Sequence, residues 1–304
     1  MRTVAEHDFA TYPRRFDAYK WYKPLLVGLL YFIFIVIFSL LLDKITEWLF
    51  SVTAVNDGAG YDGMDFFTAA GAFSNGASAA ATIPCLILAA LIVKDRPISS
   101  YFSSMGGWRW KVTLKVLLAG LIIIGIPQII FFFLKGKSGD VLFTVGGFFI
   151  LLFFIPLQGI AEEMLFRGFV MQTAGSWAKM AAVGVIVQTL IFMAVHPYNI
   201  IGIIAIAASA IVYALLSLYS KGIEASSIAH IFNNTTEIFM AGFGFGLITS
   251  DQTIMDNLFN VTLKVVYLLF IIYASKKLHW FDEVQFDDVA AFNSKGQKQE
   301  DSTL

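Results

Sequence analysis

An all-α polytopic membrane protein, a bundle of about eight transmembrane helices with both termini cytoplasmic, is the fold this sequence predicts. Three observations lead there. The 304 residues are 58% hydrophobic and only 14% charged, with a mean hydropathy of +0.73, whereas soluble domains run at about half apolar and about a quarter charged. The apolar residues fall into repeated runs of the length, about 20 residues, that crosses a bilayer core. The connections between those runs are short, which leaves no room for an inserted soluble domain, and thirty Phe and eleven Tyr suit lipid-facing and interfacial positions.

Taken in order, residues 1–23 are a basic interfacial lead. Residues 24–279 hold one transmembrane helical domain, with runs at 24–43, 69–93, 113–134, 142–170, 178–197, 201–219, 225–242 and 259–275. The first run follows a long charged stretch and reads as a retained helix, not a cleaved signal. The stretch 96–110, with Tyr101, Trp108 and Trp110, reads as a headgroup-level segment. Residues 280–304 are polar and expected to be disordered. The single Cys85 cannot form an intramolecular disulfide, and no basic patch points to nucleic acid.

Orientation follows the Lys and Arg bias. An inside N-terminus puts Arg2, Arg14, Arg15, Lys20, Lys23, Lys94, Arg96, Arg109, Lys111, Lys179, Lys221, Lys276 and Lys277 on the cytoplasmic side. Lys44, Lys135, Lys137 and Lys264 remain opposite, with most of Asp43, Glu47, Asp57, Asp62, Asp65, Asp140, Asp251 and Asp256.

Several polar side chains fall inside the runs. An ionisable residue at mid-helix costs roughly 2.5–3.5 kcal/mol even on lenient insertion scales, so it stays where it pairs, lines a cavity or does chemistry. The fourth run carries Glu162, Glu163 and Arg167. Glu163 and Arg167 are four apart and can pair; Glu162 points about 100° away and need not be neutralised by that arginine. The fifth run ends on Phe192 and His196-Pro197, and the seventh holds His230 and Asn234 on one helical face. Alone, the Glu and Arg group reads equally well as a packing network between helices, and His196 and the His230/Asn234 pair read more readily as structural hydrogen-bonding residues. Together they supply a carboxylate to act as general base, a His to hold water or take a proton, and donors for an oxyanion, which are the parts that hydrolyse an amide.

Glu162-Glu163-x-x-x-Arg167, Phe192-x-x-x-His196 and His230-x-x-x-Asn234, in that order on successive helices, resemble the three motifs of the CPBP family. This is the CAAX prenyl endopeptidase and bacteriocin-processing family of membrane proteases, which includes Rce1-type enzymes. The resemblance implies that Glu162 activates water with His196, that His230 and Asn234 form the oxyanion site, and that Glu163 and Arg167 support them. It implies a peptide or membrane-protein substrate, the lipid bilayer as partner, and an integral membrane location, here a bacterial plasma membrane. No metal is expected, with zinc at Glu162, His196 and His230 as the alternative.

Run counting places His196 near the outer side and His230 near the inner side. Catalysis needs both near one water, within ~12 Å of each other. The fifth and sixth runs are therefore expected to be tilted or not to cross fully, with a protein-buried break at Pro197. Gln158, Gln188 and Glu237 read as cavity lining, Glu237 alternatively as a substrate-positioning or proton-handling group. A non-catalytic binding or bacteriocin self-immunity protein is the competing function. A transporter is third, since no internal repeat is visible.

Overall fold

The structure, a computed structural model, describes residues 8–51, 66–246 and 252–301, with side chains as far as residue 294. Arg2, Asp57, Asp62, Asp65 and Asp251 lie outside the described residues. Among those described, the regular elements are helices, joined by one isolated antiparallel bridge between Ser103 and Gly222. We number the main ones α1 (Lys23–Phe50), α2 (Ala69–Ala80), α3 (Thr82–Val93), α4 (Trp110–Lys135), α5 (Val145–Ala178), α6 (Ala181–Ala194), α7 (Ile200–Ser220), α8 (Glu224–Gly242), α9 (Ile254–Lys277) and α10 (Asp288–Asp301). A 3₁₀ helix, Phe9–Arg15, precedes α1.

The all-helical polytopic prediction holds. Among the described residues six segments are long and apolar enough to cross a membrane: α1, α2 with α3, α4, α5, α7 and α9. The two remaining apolar runs differ for opposite reasons. α6 has 14 residues, about 21 Å of helix against a core of about 30 Å. α8 has 19 residues but spends them on Ser226, Ser227, His230, Asn233, Asn234, Thr235, Thr236 and Glu237. His196 follows the end of α6, His230 and Asn234 lie on α8, and α8 is packed against α4, α5, α7 and α9.

Loop contacts gather the helix ends into two groups. At one end Ser138 and Gly139 donate to the carbonyl of Gly244, Thr144 donates to Phe67, Asn199 donates to Gln252, and Lys135 pairs with Asp256 at 2.6 Å. Helices that begin here carry side-chain caps. Thr68, Thr144, Asn199 and Thr253 accept from the backbone amides of Gly71, Gly147, Gly202 and Asp256, satisfying donors that a helix start leaves unpaired. At the other end Ser104 donates to Lys221, Ile223 to Phe102 and Gln285 to Met105.

The second end departs from the surface reading of 96–110. Arg96 and Arg109 are buried. Arg96 donates to Gln172 and to the carbonyl of Gly168, and Arg109 makes a bidentate pair with buried Glu224 at 2.8 Å. Both counted as interfacial charges in the sequence because a guanidinium's partners there are remote in the chain. Residues 280–304, expected to be disordered, contain α10, and Phe281 is fully buried. Phe292 packs on Phe16, and Asn293 binds Arg15 and Asp17. A few aromatic residues spaced among polar ones anchor this segment, which composition averages away.

α5 is the central helix. It packs against α2 on one side and α8 on another. Gly159 permits the second contact: a Cβ there would stand 2.7 Å from Cγ1 of Ile231. Gly168 likewise admits the carbonyl of Tyr101. Met164–Met171, which contains Gly168, winds as a π-helix, a local widening found disproportionately at functional sites.

Candidate active site

The last α-helical turn before that π segment carries both glutamates. Glu163 is fully buried and points into the bundle, whereas the Glu162 side chain is 21% exposed. Their divergence is the 100° step expected for neighbours on a helix. Arg167 donates from Nη1 to Oε1 of Glu163 at 2.9 Å and from Nη2 to the carbonyl of Ala210. Its guanidinium lies over the rings of Phe192 (4.8 Å) and Tyr213 (5.2 Å). The expected Glu163–Arg167 pair is thus present.

Glu163 does more than pair with Arg167. The same Oε1 lies 2.9 Å from Nδ1 of His230. A carboxylate there accepts, so Nδ1 carries a hydrogen and Nε2 is turned the other way. Nε2 stands 3.6 Å from Oε2 of Glu162, longer than a hydrogen bond. The His230 ring is stacked on Tyr213 with centroids 5.0 Å apart. Glu162 in turn accepts from Nε2 of Gln158 at 3.0 Å, so the carboxylate expected to be unpaired is held by one neutral donor on its own helix.

His196 enters from the end of α6. Its Nδ1 donates to the carbonyl of Phe192 at 2.6 Å, which leaves Nε2 as an acceptor in the neutral ring. Phe192 is the shared wall. Its ring centroid lies 4.4 Å from that of His196 and 6.2 Å from that of His230. The two imidazoles are therefore no farther apart than the sum of those separations, inside the ~12 Å limit that catalysis sets. The expected departure from full crossing is found in α6, which stops at Ala194; α7 is long enough to span. Pro197 follows the break but is exposed, not buried. The residues after α6 satisfy their backbone locally, with Tyr198 donating to the carbonyl of His196.

Asn234 lies one turn beyond His230 on α8. Its Oδ1 accepts from Asn233, and its amide nitrogen has no hydrogen-bond partner among the described residues. Two site neighbours were not singled out from sequence. Tyr213 is one aromatic among many in an apolar helix and carries no local mark. Lys264, counted as an outer-side charge, is 5% exposed and donates to Oγ of Ser209 at 2.9 Å; its ten-residue distance from the start of α9 was the available signal. Glu237 accepts from Asn260 at 2.7 Å, and Gln188 donates to Ala210, in keeping with the cavity-lining and interhelical roles expected of them.

Among the described residues no three His, Cys, Asp or Glu side chains are arranged to hold a metal ion. Glu162, His196 and His230 do not converge as a ligand set in this conformation.

A family model described as type II CAAX prenyl endopeptidase Rce1-like matches residues 144–236. Over this region the chain is similar to that family. The match runs from the cap of α5 into α8 and contains Glu162, Glu163, Arg167, His196, His230 and Asn234. With six segments among the described residues long and apolar enough to cross a membrane, the chain is an integral membrane protein that is similar over residues 144–236 to an endopeptidase family. Comparison with curated proteins and with solved structures returned no match.

Proposed function

We propose that this chain is an intramembrane endopeptidase that hydrolyses a peptide bond of a membrane-associated peptide or protein. One observation carries the reading: the partly exposed carboxylate of Glu162 faces Nε2 of His230 across 3.6 Å, with the other carboxylate, Glu163, fixing that ring from behind. A water ~2.8 Å from each atom completes a triangle with ordinary hydrogen bonds.

In the proposed reaction Glu162 takes a proton from this water as the oxygen attacks the carbonyl carbon of the substrate. The oxyanion accepts hydrogen bonds from the amide nitrogen of Asn234 and from Nε2 of protonated His230. With His230 protonated, Glu162, Glu163, Arg167 and His230 together are formally neutral, which suits a low-dielectric site. The C–N bond then breaks, and the proton held by Glu162 passes to the departing amine. His196, with its Nε2 lone pair, assists in holding the water. Arg167 and Glu163 position His230.

The test compares membrane peptide and protein profiles of cells carrying the wild type or Glu162→Gln, with bound metal measured on the same purified samples. Fragments present in the wild type should vanish in the variant while their intact precursor accumulates. Identical profiles from a folded, inserted variant would refute catalysis and favour the non-catalytic binding or immunity role. Stoichiometric metal lost on Glu162→Gln would refute the metal-free route.

A further inference from the structure

Hydrolysis consumes one water per bond cut, and Glu162 and His230 lie within a largely apolar bundle. His230 is six residues into α8, about 9 Å along its axis, at the end where Arg109 meets Glu224. The opposite direction along α8 is polar too. Asn233 and Asn234 follow His230 at i+3 and i+4, and Glu237 at i+7, so all four share one stripe. Glu237 is bonded to Asn260 of α9, which accepts from Gln128 of α4 at 3.0 Å. One turn further along α9 stands Asp256, paired with Lys135 at the helix ends.

We infer that this stripe is a hydrated path that delivers water to Glu162 from the Asp256 end of the bundle. Two independent observations support it beyond the alignment of residues. First, Glu237, Asn234 and Asn260 are partly exposed although they lie within helices, and Glu237 and Asn260 are bonded to each other between α8 and α9. Second, the stripe contains buried acceptors without a protein partner. Oε1 of Gln128, a fully buried residue, and Oδ1 of Asn233, 8% exposed, make no hydrogen bond. Leaving such groups dry costs about 1–3 kcal/mol each, so polar cavities of this kind hold water. The spacing also fits. Successive stripe residues are one turn apart, about 5–6 Å, which is the reach of two hydrogen bonds through a single water. The inference rests on the hydrolytic reading for its purpose, but hydration of the stripe is measurable without a substrate.

The test uses the full chain in nanodiscs. In a Cys85→Ala background, Asn260→Cys should react with the small hydrophilic probe methanethiosulfonate ethylammonium at least ~10-fold faster than Leu258→Cys, because hydrophilic reagents follow water, not lipid. Leu258 is 62% exposed on the lipid side of the same helix. In the unmodified protein, hydroxyl radicals generated by radiolysis should label Tyr213 faster than Tyr267. The two side chains are only 2% and 0% exposed, and Tyr267 donates to the carbonyl of Val116 on α4. Both differences should persist in Glu162→Gln, which separates hydration from catalysis. Equal rates for Asn260→Cys and Leu258→Cys, together with equal labelling of the two tyrosines, would overturn the path even if the peptidase activity is real.

Discussion

Replacing Glu163 with Gln removes one charge from a site where no water can compensate. Both Glu163 and Arg167 are fully buried, and the carboxylate oxygen that meets Arg167 at 2.9 Å also meets His230 at 2.9 Å. Without that charge the guanidinium keeps its hydrogen bond to Ala210, two aromatic faces and at most a neutral bond to the Gln amide oxygen. Breaking a buried pair from one side costs about 3–5 kcal/mol because the remaining charge is stranded. That corresponds to a fall in midpoint on the order of 10 °C for a domain of ordinary size. Replacing both partners, as in Glu163→Gln with Arg167→Met, strands nothing and should recover most of the loss, since apolar replacements of buried pairs are often neutral. Thermal unfolding of the purified single and double variants in detergent measures both effects. A Glu163→Gln variant as stable as wild type, or a double variant less stable than the summed singles, would refute the view that this pair is a closed structural unit.

Gly159→Ala should place a methyl 2.7 Å from Cγ1 of Ile231, about 1 Å short of an ordinary carbon contact. Separating α5 from α8 by that amount draws Glu162 away from His230, and turnover of any substrate identified should fall roughly 10²-fold, with stability lowered by only about 1–3 kcal/mol. Asn234→Ala should lower kcat about 10²–10³-fold, the usual loss of one oxyanion donor, with little change in KM. Outside the membrane, a hydrogen bond from His279, with Lys221 beside it, holds the Asp282 carboxyl below its ordinary range. A depressed folded-state pKa contributes stability above the unfolded value, near 3.9, that is lost as pH falls through the folded one. Proteolysis between α9 and α10 should therefore accelerate in that acidic window, and Asp282→Asn should remove the dependence.

Much of the site was legible in sequence because it is made of residue types that bilayers exclude. Glu162, Glu163, Arg167, His196, His230 and Asn234 stand out against apolar helices, and i, i+4 spacing was enough to expect Glu163 beside Arg167. The same spacing could not show that Glu163 also holds His230, a contact between residues 67 apart in the chain. Nor could it identify Tyr213 as the ring stacked on that histidine, since one tyrosine in an apolar helix resembles any other.

The sequence by itself determined the membrane class, the positions of the helices and the identity of the polar cluster, because hydropathy and helical period are local properties. Tertiary structure decided which runs are long and apolar enough to cross and how the two histidines come together. α6 and α8 were runs like the others until their length, polarity and packing were visible. The packing of α6 brings Phe192, and His196 with it, to His230, and the close α5–α8 crossing at Gly159 brings His230 to Glu162. Both outcomes depend on contacts between distant segments, which no window of sequence contains.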